Sequence, residues 1–305
     1  MTFSEAYRKQ AALLIRVIPF VEKEQCFALK GGTAINLFIR DMPRLSVDID
    51  LVYLPIRPRN ESLAEIDAAM KRIAARALAN HDGAHVSEGR TEGTVTKLLI
   101  QSQGVQIKIE VTPVLRGTIH EPSVLRVSKK VEDAFGFAEM QIASFADLYG
   151  GKIVAALDRQ HPRDLFDGRD LLANEGIGDV LRQAFAVYLI SHNRPMWEVL
   201  APRRKDISQE YRRGFQGMTE TSVSLEELIG AREALIADIV GKMPGDHRRF
   251  LISFEKGEPD WKLLKVEGAA NLPAVKWRQQ NLDSLTAKER ALLVSKLEEV
   301  LKTVH

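Results

Sequence analysis

The sequence predicts an α/β protein of the α+β kind, with an N-terminal lobe (residues 1–135) on a small mixed β-sheet and a mainly helical C-terminal lobe (residues 136–305). Three observations carry this. The runs with strand character, Cys26 to Lys30, Val47 to Leu51, Thr94 to Gln101 and Val105 to Pro113, all lie in the first lobe. Beyond Asn174 the pattern is almost wholly helical. At 305 residues the chain is long enough for two such lobes.

Thr33 to Arg40 has helical spacing, with Ala34, Leu37 and Phe38 on one side, so Gly31-Gly32 is expected between a strand and a helix. Glycines there let backbone N–H groups approach a ligand closely. A helix N-terminus adds unpaired N–H groups and partial positive charge, and Thr33 adds a hydroxyl, which suits an anion such as a triphosphate. In Val47-Asp48-Ile49-Asp50-Leu51, strand alternation puts Val47, Ile49 and Leu51 on the buried side and both aspartates on the other. Carboxylates that close repel unless a cation lies between them. Mg²⁺ favours such hard oxygen ligands and keeps positions for water and substrate phosphates. A lone Asp-x-Asp reads as a solvated strand edge; preceded by a strand, Gly-Gly-Thr and a helix, it reads as a metal and nucleotide site.

Ser62-x-x-Glu65 is a capping box expected to open a helix to about Asn80, with Ile66, Met70, Ile73 and Ala77 as its buried stripe. Thr94 to Gln101 and Val105 to Pro113 flank the turn Ser102-Gln103-Gly104 and form a hairpin. Its second strand places Lys108 and Glu110 opposite Ile107, Ile109 and Val111. Glu110 either joins the aspartates on one polar face or is a surface residue paired with Lys108 or Lys97.

Ser144 and Asp147 are expected to cap a helix on which Leu148, Lys152, Ala155 and Arg159 line up. If that stripe is covered, the Lys152 charge needs a partner. A nucleotide phosphate is one; the alternative is a stretched side chain with its ammonium in water. Gly150-Gly151 weakens this helix by about 1 kcal/mol per glycine, suggesting a kink or close packing against the first lobe, and Gly168 also falls where a better helix former is preferred. Pro162 suits the first turn of the next helix, where Asp164 and Asp167 share a face and Leu165, Leu171 and Leu172 supply apolar contacts. By itself this Arg-Asp-x-x-Asp array reads as a structural ion-pair knot.

Leu181 to Ser191 is apolar, Leu225 to Lys242 amphipathic, and Thr286-x-x-Glu289 caps a last helix with Leu293, Leu297, Val300 and Leu301 inward. Gly257 to Asp260 and Gly268 to Pro273 are expected loops, and no internal repeat or low-complexity tract occurs. Trp197, Trp261 and Trp277 are read as core more readily than as base-stacking platforms.

The net charge of +2 predicts no nucleic-acid affinity by itself. Two basic clusters, Arg203-Arg204-Lys205 with Arg212-Arg213 and Lys242 with His247-Arg248-Arg249, could contact phosphates but are more simply solvated faces. No apolar run approaches membrane-spanning length, and Met1 to Glu5 lacks secretory-signal character, so no membrane association and a cytoplasmic location are expected. The single cysteine, Cys26, excludes a disulfide framework and is expected as a small residue of a buried strand.

Gly31-Gly32-Thr33 followed by Arg44-x-Ser46-x-Asp48-x-Asp50-Leu51 resembles the first motif of the DNA polymerase β-type nucleotidyltransferases, and more narrowly the AbiEii and MenT-like toxins of type IV toxin–antitoxin pairs. Lys152…Arg159…Arg163-Asp164-Leu165-Phe166-Asp167 is similar to the later motifs of that family. The resemblance implies that Asp48, Asp50, Lys152 and Asp167 are catalytic. It implies that Gly31, Gly32, Thr33, Ser46 and Lys152 bind the nucleotide, and that Asp48, Asp50 and Glu110 bind Mg²⁺, or Mn²⁺, in a cleft between the lobes. The implied reaction transfers a nucleoside monophosphate from an NTP to an acceptor, the tRNA 3′ end, halting translation. A cognate antitoxin encoded alongside and a role in phage defence are implied in the same way. The alternatives are transfer to a small molecule or protein side chain, a non-catalytic nucleotide- or RNA-binding module of the same fold, and a metal-dependent phosphohydrolase.

Overall fold

In the computed structural model, which describes residues 3–80 and 83–303, Ser4 opens helix α1 (Glu5–Glu22) by accepting the Tyr7 N–H on its hydroxyl. There follow β1 (Phe27–Lys30), α2 (Gly31–Thr33), which runs on as a π-helical stretch Ala34–Ile39, β2 (Asp48–Tyr53), α3 (Arg59–Asn80), β3 (His85–Thr91), β4 (Thr94–Ser102), β5 (Val105–Arg116), β6 (Ser123–Arg126), α4 (Lys129–Phe135) and β7 (Glu139–Ile142). The strands form a mixed seven-stranded sheet in the order β3-β4-β5-β2-β1-β7-β6. β1 lies antiparallel to β2 and parallel to β7, and β2 lies parallel to β5. Helices α1 and α3 pack on this sheet.

The alternation read from the sequence sets the two faces. Ile49, Leu51, Leu98, Ile109 and Val111 are buried, whereas Asp48, Asp50, Lys97, Lys108 and Glu110 are half-buried. Gln103 and Gly104 both have positive φ, the backbone of a two-residue hairpin turn whose twist matches its strands. Glu92 and Gly93 do the same between β3 and β4.

Three expectations change here. Helix α3 begins at Arg59, and Ser62 is not its cap: the Ser62 hydroxyl donates back to the Pro58 carbonyl at 3.1 Å, while Glu65 is engaged by Tyr53 and Arg57. Cys26 lies in the turn before β1 and is half-buried; burial, then the charges of Glu65 and Glu24, push its thiol up to about 12, so it stays protonated at neutral pH. The helix after the diglycine is widened. The Asn36 side chain donates to the Gly32 carbonyl at 2.9 Å, the acceptor an α-helix offers the Asn36 N–H, and the Arg40 N–H reaches back five residues to Ile35.

By its contacts the chain divides into residues 1–144 with 216–222, and residues 145–215 with 223–305. The sequence reading set this boundary at 135; β7 pairs with β1 and so carries the first unit further. Segment 216–222 supports the approach to β2: the Leu45 N–H donates to the Met218 carbonyl at 2.8 Å and Arg44 pairs with Thr219 in an antiparallel bridge.

The second unit holds α5 (Phe145–Arg159), α6 (Pro162–Asn174), α7 (Asp179–Ile190), α8 (Met196–Leu200), α9 (Ser208–Gly214), α10 (Leu225–Ile236), α11 (Gly245–Glu255), α12 (Trp261–Leu264), α13 (Pro273–Asp283) and α14 (Ala287–Thr303). The final helix has the expected capping box: Thr286 Oγ1 accepts the Glu289 N–H at 3.3 Å and Glu289 Oε2 accepts the Thr286 N–H at 2.9 Å. Leu297 and Leu301 are buried on its inner side, Leu293 and Val300 only half-buried.

The helix-weakening glycines serve close packing within this unit. A Cβ at Gly150 would stand 3.0 Å from the Ala184 carbonyl carbon of α7. At Gly168 a Cβ would stand 2.5 Å from Leu235 Cδ1, and Leu235 is fully buried in α10. Gly168→Ala is therefore expected to destabilise by roughly 1–3 kcal/mol through overpacking. Helix propensity alone predicts a gain of about 1 kcal/mol. The midpoint of chemical denaturation decides between the two signs.

Candidate active site

In the first unit the site is built around the turn from β1 into α2. Gly31 has φ +74°, a left-handed conformation that glycine adopts without strain, and a Cβ there would lie 2.7 Å from Asp50 Oδ2. At Gly32 a Cβ would lie 2.7 Å from Arg44 Nη2 and 3.1 Å from Ser46 Oγ. The diglycine thus lies directly against the Asp50 carboxylate on one side and the Arg44 guanidinium and Ser46 hydroxyl on the other. Asp48 and Asp50 stand on the same side of β2, the intervening Ile49 being fully buried.

Thr33 is buried and its hydroxyl is used internally: it donates to the Asp48 carbonyl and is hydrogen-bonded to Ser46 Oγ at 2.9 Å. Its place is to pin the turn to the first residue of β2. Arg44, named in the motif but not among the expected site residues, is 1% exposed, donates to the Leu45 carbonyl at 3.0 Å and brings a buried positive charge to the turn. The sequence signal for it is its place four residues before Asp48, within the same motif.

Glu110 is registered with Asp50 across β2 and β5, and so shares the aspartates' face. Its Oε2 accepts from Lys108 Nζ at 2.7 Å. Burial pushes the Glu110 carboxyl up, but Lys108, Lys97 and Lys30 outweigh it and hold the pKa below the ordinary glutamate value. Among the described residues no three His, Cys, Asp or Glu side chains gather as a metal-holding group.

In the second unit His161 caps α6 by accepting the Arg163 N–H, Pro162 takes the first helical position, and Asp164 and Asp167 face α5. Lys152 Nζ lies 2.9 Å from Asp164 Oδ1 and 3.0 Å from Asp167 Oδ2, with lysine 7% exposed and the carboxylates essentially buried. Arg159 closes on Asp164 with Nε at 2.5 Å from Oδ2 and Nη2 at 3.0 Å from Oδ1. Burial would raise the Asp164 pKa; the charges of Lys152 and Arg159 and their hydrogen bonds overcome it and hold the carboxyl well below the usual range. The partner that the Lys152 charge requires is therefore supplied by the protein's own carboxylates. Asp147, in the first turn of α5, accepts the Tyr188 hydroxyl at 2.9 Å.

The basic clusters are largely engaged. Arg248 donates to carbonyls of Met243, Gly241 and Leu301, Lys242 pairs with Asp238 at 2.6 Å, and Arg249 with Asp246 at 2.5 Å. Arg204 is paired with Glu233 at 2.7 Å. Arg203, Arg204 and Lys205 do line, with Asp158, Gln160 and Arg194, a hollow of about 470 Å³. Trp261 packs on Phe250 with ring centroids 5.0 Å apart, Trp197 lies under Lys296 Nζ at 4.4 Å, and Trp277 is 58% exposed.

A diglycine turn set against an Asp-x-Asp strand, in a mixed sheet of this order, defines a nucleotidyltransferase-type site. Residues 12–281 match the family described as nucleotidyl transferase AbiEii toxin, type IV TA system, and the chain belongs to that family. It is a nucleotidyltransferase toxin, and membership implies an antitoxin as its partner. Among solved structures it is similar to MenT4, a nucleotidyltransferase toxin from Mycobacterium tuberculosis, at 14% identity and TM-score 0.59, over 92% of this chain and 94% of that one. That likeness concerns the fold. No curated protein matches. Among the described residues no helix is long and apolar enough to cross a membrane.

Proposed function

We propose that this toxin transfers a nucleoside monophosphate from an NTP to the 3′ end of tRNA, using a divalent metal ion, Mg²⁺ or Mn²⁺, and so blocks translation. The observation that carries the reading is the close contact of the diglycine turn with the acidic strand: a Cβ at Gly31 would lie 2.7 Å from Asp50 Oδ2, so the backbone at the start of α2 stands directly beside the carboxylates of β2. The donor set fits a hard cation: Asp48 and Asp50 are two oxygen donors on alternate residues of one strand. When bound there, the ion supplies charge neutralisation at the triphosphate.

The chain's own residues do the rest. Backbone N–H groups of Gly31 and Gly32 hold the phosphate tail, with the Arg44 guanidinium behind the turn and Ser46 beside it. Thr33 keeps that turn in register with Asp48. An acceptor hydroxyl oxygen bonds to the α-phosphorus, the bond from that phosphorus to the bridging oxygen breaks, pyrophosphate leaves, and the hydroxyl proton passes to water. The family motif assigns Lys152 to phosphate charge; within its own unit the ammonium is held by Asp164 and Asp167. Of the two roles open to Asp167, base or positioner of Lys152, its near-complete burial at 3.0 Å from Lys152 Nζ favours the second.

The test is to incubate the protein with Mg²⁺, total tRNA and each α-labelled NTP in turn. Label is expected in intact tRNA and in none whose 3′-terminal diol has been oxidised with periodate. Label on oxidised tRNA, on a small molecule or on protein would overturn the acceptor assignment.

A further inference from the structure

The carboxylates of the sheet's polar face are interleaved with lysines. Across the strands, Lys30 is registered with Asp50, Asp50 with Glu110, and Glu110 with Lys97, so one row reads lysine, aspartate, glutamate, lysine. In the neighbouring row Asp48 is registered with Lys108. All six side chains are half-buried. Registered neighbours on one face of a sheet lie about 5 Å apart at Cβ, within reach of each other's charge. The face therefore carries three acids already matched by three lysines.

Lys108 is the lysine set inside the acidic group. Its Nζ lies 2.7 Å from Glu110 Oε2, and its strand position places it opposite Asp48. A second divalent ion on Glu110 would have to displace this ammonium and then sit beside it.

We infer that Lys108 is a fixed cation of the active site, anchored by Glu110, and that the site takes one divalent ion, on Asp48 and Asp50, with the lysine facing the triphosphate oxygens where a second ion would otherwise stand. This rests on the nucleotidyltransferase reading above. It reassigns Glu110 from metal ligand to anchor. The Lys108–Glu110 pair is about one third exposed, at 30% and 38%, so removing either partner costs little stability and the variants fold.

Binding of Mn²⁺ alone to the full chain, followed by electron paramagnetic resonance, tests this apart from activity. Wild type is expected to bind one ion, Asp48→Asn none, and Glu110→Gln one ion within about threefold of wild type. Lys108→Met is expected to bind Mn²⁺ about tenfold tighter or to admit a second ion, because a cation beside the site has gone. Two ions on wild type, a loss of about tenfold or more in Glu110→Gln, or unchanged binding by Lys108→Met overturns the inference and leaves the metal site standing. Binding that persists unchanged in Asp48→Asn overturns the metal reading itself, and this inference with it.

Discussion

Asp48→Asn is expected to lower nucleotidyl transfer by roughly a thousandfold or more while leaving the fold intact. The amide keeps the size of the side chain and its half-buried position at the start of β2, so the change is one of charge. An ion held at a phosphoryl centre contributes several kcal/mol to stabilising the transition state, and each 1.36 kcal/mol is a factor of ten in rate. The Thr33 contact is made to the Asp48 backbone carbonyl, so the tie between the diglycine turn and β2 survives the substitution. Single-turnover transfer from labelled NTP, alongside a thermal melt, measures both parts. Growth arrest on induction is expected to disappear with the activity. Undiminished transfer by a folded Asp48→Asn protein would remove the metal from the mechanism.

Asp164→Ala is expected to destabilise the helical unit by about 3–5 kcal/mol, the cost of removing one member of a buried ion pair. The carboxylate is 1% exposed and holds both Lys152 and Arg159; without it the Lys152 ammonium, itself 7% exposed, keeps only Asp167 among the carboxylates that Asp164 and Asp167 together provide. The same group sets a pH dependence. Its folded pKa is depressed below the ordinary 3.8, so the stability it contributes is complete above that value and is lost as the pH falls below it. Asp164→Asn is expected to flatten the acid limb of the stability profile, read from urea midpoints across pH 5 to about 2.5. A cost under about 1 kcal/mol, the range of exposed pairs, would mean that the knot is solvated.

Legibility in the sequence followed how local each signal was. The Asp-x-Asp strand, the Thr286–Glu289 capping box, the hairpin turn at Gln103-Gly104 and the stripe of α3 depend on residues within a turn or a strand of one another, and the structure contains each of them. Strands β3, β6 and β7 are not among the runs that the sequence predicts. β3 is an edge strand with exposed or half-buried residues throughout, so it carries no alternation of apolar residues to read, and its pairing with β4 is what makes it a strand. Ser62 was read as a cap because its spacing to Glu65 fits one, but Glu65 is drawn to Tyr53 and Arg57. Gly150 looked like a helix weakness directed at the other lobe; its use is the approach of α7 in the same unit.

The sequence alone determined that a diglycine turn and an acidic strand lie next to each other in the chain, since periodicity and glycine chemistry act over a few residues. The tertiary structure decided the environment of those groups: Lys108 and Glu110 beside the aspartates, Arg44 behind the diglycine, Asp164 against Lys152, and segment 216–222 under the approach to β2. Those neighbours come from strand register and helix packing between distant segments, and charges act on whatever is near in space, whatever its place in the sequence.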